Sequence, residues 1–158
     1  MYKTILVPHG GTDAGDEALK HAINAAREDS KIIILHIVEA IQAPPSFALS
    51  SSEREDLLKS IDEANEEIRK DMEKRMEKAA EQCKDSGIKV EIKVEIGDAA
   101  EHILDFVEKN KVDLIVMSKR RKFKGMKRLL SLGSVSRKVV ENVTCPVTLI
   151  DIEKVGEK

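Results

Sequence analysis

The densest cluster of chemistry-bearing side chains in this sequence is basic: Lys119, Arg120, Arg121, Lys122 and Lys124, continued by Lys127 and Arg128. Such a run has three readings: a solvated loop, a clamp for phosphate, or a surface for nucleic acid. The third sits poorly with the rest of the chain. Tyr2, Phe47, Phe106 and Phe123 are its full set of aromatic residues, so few rings are on hand to stack on unpaired bases. A little further on, Gly133 and Ser134 mark the start of a helix, where unpaired amides and the helix dipole favour an anion. His9, His21, His36 and His102 fall singly, without metal-ligand spacing, and among them only His9 stands in a turn where a ligand should bind. Cys83 and Cys145 form no CxxC or CxxH pair, which reads as two buried thiols in a reducing compartment. There is no Gly-x-Ser-x-Gly elbow, and Ser134 has no identifiable base, so dedicated catalysis is not expected. Any turnover would be slow and incidental.

These residues need a scaffold, and the hydrophobic periodicity supplies one. Residues 4–7 form a short aliphatic run closed by Pro8, with Gly10 and Gly11 directly after, the pattern of a buried strand entering a tight turn. Ala18, Leu19, Ala22, Ile23, Ala25 and Ala26 then recur at helical spacing, capped by Thr12 or Asp13, to an expected end near Asp29. Residues 32–38 are apolar except for His36, as in a strand covered on both faces. After a loop through Pro44, Pro45 and Ser46, the residues Leu57, Ile61, Ala64, Ile68, Met72, Met76, Ala79 and Cys83 step by three or four. They predict one long helix with a core-facing stripe, ended by Gly87. Residues 88–96 alternate aliphatic with Lys89, Glu91, Lys93 and Glu95, as expected of a strand with one wet face near a sheet edge. Asp98 caps the next helix, residues 114–117 are a buried strand, a helix starts at Gly133 or Ser134, and 145–152 are a final strand.

The order βαβαβαβαβ predicts an α/β fold: a single doubly wound, mainly parallel five-stranded sheet with helices on both faces. Ligands of such sheets sit beyond the carboxyl ends of the strands, so the turns after Val7, Val38 and Met117 face the site. A length of 158 residues with 41% hydrophobic content suits one domain with a proper core. The 27 basic and 29 acidic side chains leave a formal net charge of −2, so the molecule as a whole is neither a polyanion mimic nor a nucleic-acid clamp. No apolar run approaches the ~20 residues needed to span a bilayer, and the first strand begins after Met1, Tyr2 and Lys3, so a soluble cytoplasmic protein without membrane contact is expected.

The segments YKTILVPHGGTDAGDEALKHA, IIILHIVE, GDAAEHILDFVEKNKVDLIVMSKR and GMKRLLSLGSVSRKVVENVTCPVTLI resemble the universal stress protein family along nearly the whole chain. The resemblance implies an adenine nucleotide alpha hydrolase-like fold, with the domain over residues 1–153 and a short tail at 154–158. It also implies a stress-response regulatory module, and a homodimer in which the terminal strand, with Val147, Leu149, Ile150 and Ile152, pairs with its twofold mate. The protein partners it would regulate are not named by the sequence. Some members of the family bind ATP, through a Gly-x-x-Gly loop, a spacer, and Gly-Ser or Gly-Thr. Here Ser118 and Arg121 occupy the two glycine positions, the span to Gly133 is longer than the family's, and Gly125 stands as a shifted turn glycine. Gly10 replaces an aspartate that the family commonly uses on the nucleotide. Pro8, Ile37, Met117, Gly133, Ser134 and Val135 remain at positions that the family places around the nucleotide. The resemblance therefore implies two alternatives: ATP or AMP bound at the carboxyl edge, with magnesium if ATP, or an interaction dimer whose nucleotide loop has degenerated. Met117, Ser118 and Lys119 also match the MSK core of nucleotidyl-transferring relatives of the fold. Their His-x-Gly-His element is missing, because HGGT supplies one histidine only.

Overall fold

The computed structural model describes residues 1–45, 48–119 and 132–151. Its strands are β1 (Thr4–Pro8), β2 (Lys31–Val38), β3 (Lys89–Ile96), β4 (Leu114–Lys119) and β5 (Val147–Asp151). Its helices are α1 (Asp13–Ala25), α2 (Ser51–Ala80), α3 (Ala99–Asn110) and α4 (Ser134–Asn142), with a 3-10 turn, Glu81–Ser86, extending α2. The sheet order is β3-β2-β1-β4-β5 and every pairing is parallel, in register from Thr4 opposite Lys31 and Ile5 opposite Leu114.

The chain winds outward from β1 through β2 to β3, then crosses back to β4 on the other side of β1. Right-handed crossovers in opposite directions put their helices on opposite faces. Ala18, Leu19 and Ala22 of α1 and Met76 and Ala79 of α2 accordingly pack with Ile5, Val7, Ile32, Ile34 and Val116. Ile103, Phe106 and Val107 of α3 and Val139 of α4 pack with Leu6, Ile33, Leu35, Ile115 and Met117. Burial on both sides explains why β1, β2 and β4 are nearly uninterrupted aliphatic runs. β3 is an edge strand. Its Val90, Ile92 and Val94 meet the α1/α2 side, while Lys89 and Lys93 of the other face are exposed.

Several boundaries differ from the sequence expectation. α1 stops at Ala25, four residues before Asp29, because the chain turns extended at Ala26 to bring Ser30 under the sheet. There the Ser30 hydroxyl donates to the Tyr2 carbonyl (2.7 Å) and accepts from the Arg27 amide (2.9 Å). β4 runs on to Lys119. β5 begins at Val147, since Cys145 lies in a bend before Pro146 and the Pro146 carbonyl already accepts from Ile115 N–H at 3.0 Å. Ile152 lies outside the described residues, as does the proposed tail. The α2 stripe is only half core: Met76, Ala79 and the following Cys83 are buried, whereas Leu57 and Ile61 are half-buried and Ile68 is exposed. α2 is simply longer than the sheet it covers.

Candidate functional site

A crossover reversal leaves β1 and β4 adjacent while the next described helices, α1 and α4, lie on opposite faces, which opens a crevice at the carboxyl edge. That crevice is a cavity of about 360 Å³, within the range of small-molecule sites. Pro8 from β1, Ile37 from β2, Met117 from β4, and Gly133, Ser134 and Val135 from the start of α4 all line it. One side is apolar, with Leu35, Ile37, Ile103, Met117 and Val135. A smaller cavity of about 220 Å³ adjoins it through Ile37, Ala99, Ser134 and Val135, and adds Glu39, Asp98 and Lys138.

The polar side is the first turn of α4. Gly133 is its N-cap and offers no side chain to the helix amides. The first intrahelical bond runs from Arg137 N–H to the Gly133 carbonyl (2.9 Å), so the amides of Ser134, Val135 and Ser136 have no acceptor among the described residues. Such amides, at the positive end of a helix, suit an anion. Of the basic run, Lys119 closes β4. Arg120, Arg121, Lys122, Lys124, Gly125, Lys127 and Arg128 lie outside the described residues, and so does the second of the two substituted glycine positions, at Arg121.

His9 is in the wall of this cavity but is not a free ligand group. Its side chain is fully buried. Nδ1 accepts from the Gly11 amide (3.0 Å), which leaves the proton on Nε2 to be donated to Asp16 Oδ1 (3.0 Å). Asp16 in turn holds Arg75 of α2 through Oδ2 at 2.8 Å. Burial pushes the His9 pKa below its ordinary value, against the opposing pull of Asp16. For Asp16 burial works upward, but hydrogen bonds from Arg75 and then His9 outweigh it and hold the carboxyl below the usual range. The ring fits only because Gly15 lacks a side chain: a Cβ there would stand 2.6 Å from His9 Cε1 and Nδ1.

His36, which the sequence presents as an interruption in an apolar strand, also borders the cavity. Its Nδ1 donates to the His9 carbonyl at 2.6 Å, pinning the β1–α1 turn to β2. Gly10 has open space around it, since a Cβ would meet nothing nearer than Thr12 Oγ1 at 3.9 Å. Ser118 and Ser136 join the lining. Ser118 was legible as a substituted glycine position, and Ser136 gave no signal beyond a small polar residue three before Val139. His21 and His102 pair with Glu17 and Glu95 away from the cavity, and no three-residue metal cluster occurs among the described residues. Burial raises the pKa of both Cys83 and Cys145, the opposite of an activated thiolate.

The family model for the universal stress protein family matches residues 1–151. This chain belongs to that family. Among curated universal stress proteins, MJ0531 of Methanocaldococcus jannaschii is 33% identical over 160 aligned residues, covering 95% of this chain and 82% of the relative. The structure of MJ0577 from the same organism superposes with a TM-score of 0.77 at 25% identity, covering 97% of this chain and 98% of that one. The universal stress protein At3g01520 of Arabidopsis thaliana, whose crystal structure has AMP bound, superposes with a TM-score of 0.57 at 20% identity over 96% of this chain and 93% of that one. The α/β fold with its all-parallel five-stranded sheet is that of universal stress proteins.

Proposed function

We propose that this chain is a cytoplasmic stress-response regulatory module that binds an adenine nucleotide, AMP or ATP, across the carboxyl edge of its sheet. The observation that carries this reading is the convergence of Pro8, Ile37, Met117, Gly133, Ser134 and Val135 on one cavity with an uncapped helix start on its polar side. The base lies against Ile37, Met117 and Val135, and the phosphate meets the amides of the first turn of α4. The AMP held by the Arabidopsis relative supports the choice of ligand class. With ATP, magnesium would be carried mainly by the phosphates. Nothing in the reading calls for turnover.

The test is calorimetric titration of the purified protein with AMP and with ATP plus magnesium, alongside mass analysis of any co-purified nucleotide. Binding with one site per chain is expected, weakened far more by Gly133→Asp than by Lys122→Ala at moderate salt, because directional amides outlast a screened charge. No binding of either nucleotide overturns the proposal. Equal losses in both variants that vanish as salt rises would transfer the phosphate to the basic run.

A second reading, a nucleotide-independent interaction dimer, is favoured by Ser118 and Gly10, which stand where nucleotide-binding members carry a glycine and an aspartate. In either case β5 is the pairing edge, since it is bonded to β4 on one side only among the described residues.

A further inference from the structure

The core uses only the second half of α2. Among the described residues its packing on the core begins at Met72 and continues through Met76 and Ala79, with nothing earlier in either core cluster. The apolar stripe nevertheless runs on toward the N-terminus through Leu57, Ile61, Ala64 and Ile68. At three- and four-residue spacing these share one face, about 16 Å long at 1.5 Å per residue. Leu58 stands at the border of that face, and beside it lies Ile41, whose N–H and C=O are both bonded to the Asn65 side chain. Ile41, Leu58 and Ile68 are 45%, 42% and 38% exposed. A seam of leucine and isoleucine left in water at this spacing is the pattern of a helix-docking surface.

The surroundings of the face decide what covers it. Asp56, Glu67 and Asp71 border it on one side and Glu55 and Asp62 on the other, while Lys59 and Lys70 project from the opposite side of the helix. Arg54 closes the face at its amino-terminal end. All five carboxylates are exposed, and none is in an ion pair or hydrogen bond among the described residues, whereas Arg69 is already held by Glu66 and Glu73. A second copy of this helix would set carboxylates against carboxylates. A cationic partner would find both rims open to it.

We propose that this face of α2 docks a cationic amphipathic helix of a partner protein. The partner sets aliphatic side chains at three- and four-residue spacing against the seam from Leu57 to Ile68, and its lysines or arginines meet the two acidic rims. The apolar seam supplies affinity and register, and the rims select the sign of the partner's charge. The surface shares no residue with the crevice, so the proposal stands whether or not a nucleotide binds there.

The probe is a labelled synthetic peptide of about 18 residues, long enough to cover the face, with leucines at three- and four-residue spacing and lysines elsewhere. Its controls are the same composition in scrambled order and a version with glutamate for lysine. Fluorescence anisotropy on the intact protein should show one patterned lysine peptide bound per chain, and both controls at least about tenfold weaker. Leu58→Ser and Ile68→Ser should each weaken the patterned peptide about fivefold. Asp56→Asn, Glu67→Gln and Asp71→Asn combined should weaken it and flatten its salt dependence. Val140→Ser, the same kind of change at an exposed position of α4, should leave binding unchanged. Because every substituted side chain is exposed, each variant should melt within about 2 °C of the wild type, which separates lost docking from lost folding. Equal binding of the scrambled peptide overturns the inference, as does wild-type affinity in both Leu58→Ser and Ile68→Ser, or an equal loss in Val140→Ser. A fall in light-scattering mass on Ile68→Ser overturns it too, by making a second copy of the chain the occupant.

Discussion

Replacing Gly15 with alanine should destabilise this protein, against the ordinary rule for a helix. Within α1, alanine gains about 0.5–1 kcal/mol over glycine from backbone entropy and propensity. Here the added Cβ would lie 2.6 Å from His9 Cε1 and Nδ1 and 2.8 Å from Cγ, where ordinary contact begins at 3.4 Å. The ring is fully buried and held at both nitrogens, so it has nowhere to retreat. Overpacking of this kind costs about 1–3 kcal/mol, and stretching the bonds to Gly11 and Asp16 costs roughly 1 kcal/mol each. The net loss is about 2–4 kcal/mol, which for a chain of this length corresponds to a fall in Tm of about 4–16 °C. Urea titration and calorimetric melts of the single variant, His9→Ala and the double variant complete the cycle. Without the ring, Gly15→Ala should turn stabilising. If Gly15→Ala is as stable as wild type in the presence of His9, or equally harmful without it, the steric argument is refuted.

The same histidine sets a pH dependence. Because burial lowers its pKa below 6.5, the unfolded chain takes the proton more readily, so stability is complete above that pH and declines as pH falls below it; Asp16, held below 3.8, adds a second loss in stronger acid. Tm measured from pH 7.5 to 4.5 should therefore drop in the wild type and drop less in His9→Gln, and identical profiles would remove His9 from the account. Gly10→Asp restores the carboxylate of nucleotide-binding relatives in open space, and should tighten AMP about tenfold through one charge-assisted hydrogen bond; unchanged or weaker binding in a well-folded variant refutes it. Leu149→Lys puts a charge on the edge strand and should shift light-scattering mass from dimer to monomer across a dilution series, whereas an unchanged dimer would move the interface away from β5.

Much of the fold was legible because its strands differ in burial. The nearly unbroken apolar runs of β1, β2 and β4 read as strands covered on both faces, and the Lys/Glu alternation of β3 announced its single covered face. Topology then followed from handedness. The helix limits were less legible. Periodicity carries α1 past Ala25, but the buried Ser30 claims the backbone of Arg27, a contact between residues that no local pattern records. The stripe on α2 is continuous in sequence, and whether the sheet reaches all of it depends on strand lengths elsewhere. At the site, the six residues read from the family pattern do meet at one cavity. His9, expected to face a ligand, is instead bonded to Gly11 and Asp16, and that inward turn depends on Gly15, which looks like an unremarkable helix residue until the ring is placed beside it.

The mismatch between α2 and the sheet also sets where the molecule opens. Thirty residues of helix reach about 45 Å, while the eight-residue strands beneath, β2 and β3, extend only about 26 Å. The overhanging first half is held by its capping box at Ser50 and Glu53, and by Asn65, whose amide group brackets the backbone of Ile41 through both N–H and C=O. Few apolar contacts resist its fraying. Amide exchange in that half should proceed through small, local fluctuations, while amides around Met76 and Ala79 exchange only when the sheet itself comes apart. A protease cutting there would part β1 and β2 from β3, β4 and β5 in the chain, and a lineage could lengthen, shorten or redecorate this arm without changing a residue that lines the crevice.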